Sequence, residues 1–314
     1  MLNRNELVDL AEEMTQVVLN QQRFAEARRF WNADMAWRGP LGLRTGVDDF
    51  TQSVMVPFFR AFPDYFAVND EWVVDEEQQL VASWGHFTAT HRDTFCGVAA
   101  TGLPVDVRFM DIWKVVDDKL QENWVQVDHA AFLSQVGATT IAGGGRLAPG
   151  PASRGGSDAS PPTTSDELMR LARESGRAAF AEPQAATPPW REDVVLRGPW
   201  GIGDLQGAAA VADVLAHSFP GALSGFGATA ELWVVDASQR RVGVWGHVHG
   251  RHTSSLLGVP PTGKEINVSY LAYCAFDAAG RLETCWAETD TITFLRDVGA
   301  LSQLSSDALQ RAAV

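Results

Sequence analysis

Val105-Asp106-Val107-Arg108-Phe109-Met110-Asp111-Ile112-Trp113 alternates at the two-residue period of a β-strand. Val105, Val107, Phe109, Asp111, Trp113 and Val115 share one face, and Asp106, Arg108 and Lys114 share the other. The first face is apolar except for one carboxylate at its middle. A carboxyl group held among Phe and Trp loses hydration, which disfavours the charged form and raises its pKa. Such a group can take a proton from carbon and return it. The plainer alternative is a buried Asp paired with an Arg or with backbone donors.

The strand belongs to a repeated unit. Arg38-Gly39-Pro40-Leu41-Gly42 recurs as Arg197-Gly198-Pro199-Trp200-Gly201, and Trp72-Val73-Val74-Asp75 as Trp233-Val234-Val235-Asp236. Trp84-Gly85-His86 and His91 return as Trp245-Gly246-His247 and His252. Trp124 and Asp128 return as Trp286 and Asp290. Two copies spaced by about 160 residues indicate two whole domains rather than a solenoid. Domain one is expected over 1–140, a Gly/Pro/Ser-rich flexible linker over 141–164, domain two over 165–300 and a tail over 301–314.

Within a copy, Asn3 with Glu6 has the form of a capping box, and Leu7, Leu10, Met14, Val17 and Val18 follow at helical spacing. A second helical stretch runs from Val47 to Phe62 and stops at Pro63. Strands are expected over Tyr65–Val74, Leu80–His91, Val105–Val116 and Leu120–Val127, then a short helix over His129–Val136. Helices followed by an antiparallel meander predict an α+β domain, with helices on one face of a curved sheet around an apolar cavity.

The formal net charge of −14 argues against nucleic acid or anionic membranes as partners, since phosphate surfaces call for a basic excess. Three cysteines (Cys96, Cys274, Cys285) have no metal-type spacing and leave one unpaired, which fits a reducing cytoplasm. The N-terminal residues lack the pattern of a signal peptide, and no apolar run approaches membrane-spanning length. His247, His249 and His252 have no carboxylate or thiol nearby to complete a metal set, so no metal is expected.

The residues His91, Phe95, Gly97-Val98, Thr101-Gly102, Arg108, Asp111-Ile112-Trp113, Lys119-Leu120, Trp124, Asp128 and Leu133 to Gly137 resemble SnoaL-like polyketide cyclases, of the nuclear transport factor 2 superfamily. Gly258-Val259-Pro260-Pro261-Thr262-Gly263-Lys264 in the second copy matches the middle of the family pattern. The resemblance implies a cone-shaped fold in each copy and a cofactor-independent acid–base enzyme. It implies that Asp111 handles protons in an intramolecular aldol ring closure while His91 holds the enolate or carbonyl oxygen. Domain one departs from the pattern at Ala89 and at Ala99-Ala100, and the second copy has Ala272 at the aspartate position. An Ala cannot move a proton, so the second site is expected to be degenerate.

Substrate contacts are expected from Trp37, Trp84, His86, Phe109, Trp113 and Trp124, for a small apolar substrate bearing a carbonyl. Core filling is the alternative for the tryptophans, and strand parity does not decide between His86 and His91. Asp128 and Asp290 read as helix caps. Isomerisation or dehydration would use the same site. The competing reading is a non-catalytic binding or dimerisation protein, with the two domains packed as an intrachain pseudo-dimer and further homo-oligomerisation open.

Overall fold

The structure, a computed structural model, describes residues 1–40, 42–139, 163–180, 189–199 and 201–300. All but the last two residues of the expected linker, and the whole expected tail, lie outside these. In the first copy helix α1 (Arg4–Met14) begins at the expected capping box. The Asn3 side chain accepts from the Asn5 and Glu6 amides, and the Glu6 carboxylate accepts from the Asn3 amide. There follow α2 (Ala27–Phe30), β1 (Trp31–Gly39), β2 (Gly42–Thr45), α3 (Val47–Phe50), α4 (Val56–Ala61) and β3 (Phe66–Asp75). β4 (Leu80–Thr90), β5 (Pro104–Val116), β6 (Lys119–Val127) and α5 (His129–Gln135) complete it. Asp117 and Asp118 both take positive φ (51° and 57°), which closes the β5–β6 hairpin in the twist its strands require.

The second copy repeats the plan. It comprises α6 (Ser165–Phe180), β7 (Trp190–Arg197), β8 (Asp204–Gln206), α7 (Ala208–His217), α8 (Phe219–Ala222), β9 (Leu223–Asp236), β10 (Arg241–His252), β11 (Glu265–Phe276), β12 (Leu282–Thr289) and α9 (Thr291–Val298). The sheet orders are β2-β1-β6-β5-β4-β3 and β8-β7-β12-β11-β10-β9. The α+β architecture is as expected, but the sheets are mixed rather than antiparallel. β1 runs parallel to β6, and β7 parallel to β12. The register of β1 against β6 slips between Trp31 and Ala36, while Trp31, Met35 and Trp37 keep one parity and are all buried. Asp128 and Asp290 cap α5 and α9, accepting from the Ala131 and Thr293 amides.

The repeated Trp-Gly-His marks where each sheet bends. The β3–β4 register shifts between Asn69 and Glu71, and a Cβ on Gly85 would lie 2.0 Å from the Val68 carbonyl oxygen. Only glycine admits that approach. The bulge carries Asp70, whose carboxylate meets Nδ1 of His86 at 3.0 Å on the outer face. In the second copy Gly246 has the same relation to the Thr229 carbonyl, and Glu231 meets His247 at 2.7 Å.

The outer faces of the two sheets pack against each other. Leu80, Ala82, Trp84, Met110, Ile112 and Trp124 meet Val234, Leu271, Tyr273 and Trp286 in one buried cluster. The contact is pseudo-symmetric: Trp84 lies over Trp286 with centroids 5.5 Å apart, and Trp124 near Trp245 at 6.4 Å. The Val74 amide donates to Asp236 (3.1 Å) and the Val235 amide to Asp75 (3.2 Å). Asp236 also pairs with Arg4, and Arg108 forms a buried two-pronged bridge to Asp204, both contacts 2.7 Å.

Asp236→Ala would leave the buried Val74 amide and the Arg4 guanidinium without their acceptor. A loss of about 3 kcal/mol is expected in chemical denaturation. A change under about 0.5 kcal/mol, the ordinary size of a surface substitution, would contradict the role given to this contact.

Candidate active site

Asp111 projects from the inner face of β5, paired across the sheet with Ser83 on β4 and Val125 on β6. It borders a cavity of about 140 Å³ walled by Trp31, Trp37, Phe50, Phe58, Tyr65, Phe109 and Trp113, with Asn123 and His129 among its polar groups. By accessible area Asp111 is half-buried, yet protein encloses its carboxyl group. The two agree because the area it retains faces this cavity. Burial pushes its pKa from the usual 3.8 up to about 7, against the opposing hydrogen bond from Asn123 Nδ2 to Oδ1 (2.8 Å). Relative to water, the neutral form is favoured by roughly 4 kcal/mol. The carboxyl is thus poised to exchange a proton near neutrality. From the second copy, the Tyr273 hydroxyl donates to the Asp111 backbone carbonyl and holds the strand from behind.

Three of the expected substrate residues, Trp37, Phe109 and Trp113, line the cavity with Asp111. Four expected site residues do not. Trp84 and Trp124 lie on the outer face between the copies, because that face too is buried. His86 is on the outer face and braces the bulge through Asp70. His91 does share the inner parity, but Asp111 is level with Ser83, so His91 stands eight positions farther along the chain, just past the end of β4. At about 3.3 Å per residue that is roughly 26 Å along the chain. There it packs against Phe62 and Phe132, and its Nδ1 meets the Thr101 hydroxyl at 3.1 Å. His252 makes the same contact with Thr262 in the second copy. His91 is thus fully buried and does not line the cavity that Asp111 borders.

Sequence reasoning passed over Tyr65, Asn123, His129 and Trp31. Burial and the nearby Asp111 charge raise the Tyr65 pKa above its usual value, so its hydroxyl remains a donor. His129 donates from Nδ1 to the Val127 carbonyl (3.0 Å), and burial lowers its pKa to about 4. Its ring is neutral, with the lone pair on Nε2. The Trp31 Nε1–H is buried without a hydrogen-bond partner among the described residues. Only Asn123 carried a usable signal, since it shares the inner parity of β6 with Val125 and Val127.

The SnoaL-like polyketide cyclase family matches the chain over residues 9–136 and 179–298. Among solved structures, AclR from Streptomyces galilaeus, a proposed hydroxylase, is 24% identical over 44% of this chain and 85% of its own, with a TM-score of 0.40. TsrD from Streptomyces laurentii is 17% identical over 44% of this chain and all (100%) of its own, at 0.40. A SnoaL-like polyketide cyclase from Agrobacterium tumefaciens is 20% identical over 43% and 99%, at 0.37. Each solved chain spans one copy. A search of curated proteins returns no match.

Because the Asp111 pKa is higher in the folded chain, native protein holds a proton that unfolded protein has released between about pH 4 and 7. Wild-type stability should therefore fall relative to Asp111→Asn as pH rises through that window, by up to roughly 4 kcal/mol, then run parallel above it. Denaturation at a series of pH values checks this. A pH-independent difference would mean an ordinary carboxylate. Asn123→Ala removes a donor to the anion and should move the carboxyl ¹³C titration of Asp111 above 7.

Proposed function

The chain belongs to the SnoaL-like polyketide cyclase family, and we propose that its first copy is an acid–base enzyme in which Asp111 forms and consumes an enolate. The observation that supports this best is a desolvated carboxyl, held by a single amide donor, in an aromatic cavity. The substrate is a carbonyl-bearing apolar molecule. The cavity is smaller than the roughly 300–1,000 Å³ of common ligand sites, so it suits a small ketone or the reacting end of a longer chain.

The Asp111 carboxylate removes the proton on the carbon next to the carbonyl, and the C–H electrons move into the carbonyl to make an enolate. Tyr65, kept protonated, is the donor proposed for that oxygen in place of His91. The enolate carbon attacks a second carbonyl of the same molecule, forming the ring C–C bond. The resulting alkoxide takes the proton back from Asp111, which regenerates the carboxylate. The cycle balances with no cofactor or metal. Isomerisation or loss of water would begin with the same proton transfer.

The test is proton–deuterium exchange at the α-carbon of a panel of aryl ketones in D₂O, followed by NMR. Asp111→Asn should lower the catalysed rate by about a hundred- to ten-thousandfold. In the wild type the rate should rise with pH and level off above about 7, as the base ionises. Exchange by Asp111→Asn at the wild-type rate would remove the mechanism. Tyr65→Phe should slow exchange while leaving the midpoint of the pH profile near that of Asp111.

A further inference from the structure

The second copy keeps the frame of the first but replaces the contents of its cone. Ala272 stands at the position of Asp111, and Cys285 at that of Asn123. Cys274 replaces Trp113, Val248 replaces Phe87, Ala287 replaces Val125 and Ser175 replaces Met14. Each change is to a smaller side chain, and together they leave a cavity of about 420 Å³ where the first copy has about 140 Å³. That volume lies within the range of sites that enclose a ligand of drug size, roughly 300–1,000 Å³.

The described lining includes no carboxylate and no imidazole. The hydrogen bond with Cys285, and burial after it, raise the Cys274 thiol, while burial pushes Tyr270 up to about 12. Neither Cys274 nor Tyr270 changes charge near neutrality. Cys274 and Cys285 lie directly opposite each other on β11 and β12 as free thiols, the Cys274 Sγ donating to the Cys285 Sγ at 3.5 Å, a soft polarizable patch of wall. Two polar groups among the lining residues are unpartnered. Ser175 is 3% exposed and Trp190 7%, and neither Oγ of the first nor Nε1–H of the second has a hydrogen-bond partner among the described residues. A buried donor without an acceptor costs stability, and an occupant carrying an acceptor would relieve it. The exposed side chains of Arg173 and Arg177 also border the cavity.

We propose that the second cavity is a non-catalytic binding site for an apolar aromatic molecule that bears hydrogen-bond acceptors and is too large for the first cavity. Aromatic surface meets Trp190, Trp233, Phe226 and the paired thiols, and the acceptors meet Ser175 and Trp190. Nothing at Asp111 takes part, so this binding stands whether or not the first copy turns over ketones.

The test uses the full chain and 1-anilinonaphthalene-8-sulfonate, whose fluorescence rises in apolar surroundings. One saturable site per chain is expected. Cys274→Trp restores the bulk found in the first copy and should weaken binding at least tenfold. Ala287→Leu should act in the same direction and covers the case in which the larger substitution disturbs folding. Ser175→Ala should weaken binding about fivefold, the worth of one hydrogen bond, and Asp111→Asn should leave it unchanged. Absence of saturable binding to the wild type would overturn the proposal. So would wild-type affinity in both filling variants, or loss of binding in Asp111→Asn.

Discussion

The architecture depends on a close approach that no side chain could survive: the Val68 carbonyl oxygen sits where a Cβ on Gly85 would be. That contact lets β3 carry an extra residue, and the bulge bends the sheet toward the helices. Curvature creates an interior, and the aromatic side chains of the helices and β1 keep that interior poor in water. Only there does burial carry the carboxyl group of Asp111 toward neutrality. The glycine is remote from any chemistry, yet the electrostatics of Asp111 follow from it. The outer-face pair Asp70–His86 braces the same bend, and Glu231–His247 repeats it. A recurrent histidine that resembles a catalytic group is here a strut.

The meander β3–β6 of the first copy was legible to within a residue because each strand is a run rich in β-branched and aromatic residues bounded by turn residues. The facing of Asp111, Phe109 and Trp113 followed from their shared parity. Parity failed for Trp84 and Trp124 for a physical reason. Both faces of these sheets are covered, one by helices and one by the other copy, so an apolar residue of either parity is buried. His91 had the correct parity but the wrong depth, since depth is set by the pairing of β4 with β5, which no single strand records. Tyr65 and His129 sit at element ends, where periodicity carries no information.

The two copies share a frame and differ in what it encloses. The framework residues are shared: the capped final helices, the bent strand and the histidine that meets a loop threonine. The cavity residues are not. One interior is tight and holds a carboxyl group, and the other is roomy with neither carboxylate nor imidazole among its described lining. Sequence likeness between the copies therefore reports the scaffold, while the differences report the use to which each interior is put.

The Tyr273 hydroxyl, lodged on the main-chain carbonyl of Asp111, means that the halves cannot be traded as independent parts. A lineage that discarded the rear half would expose Met110, Ile112 and two tryptophans to water and free the segment bearing Asp111. It would have to invent a new backing for that segment in the same step. In one polypeptide each sheet is the other's backing, because a deletion that removes the second pocket also removes the wall behind the first.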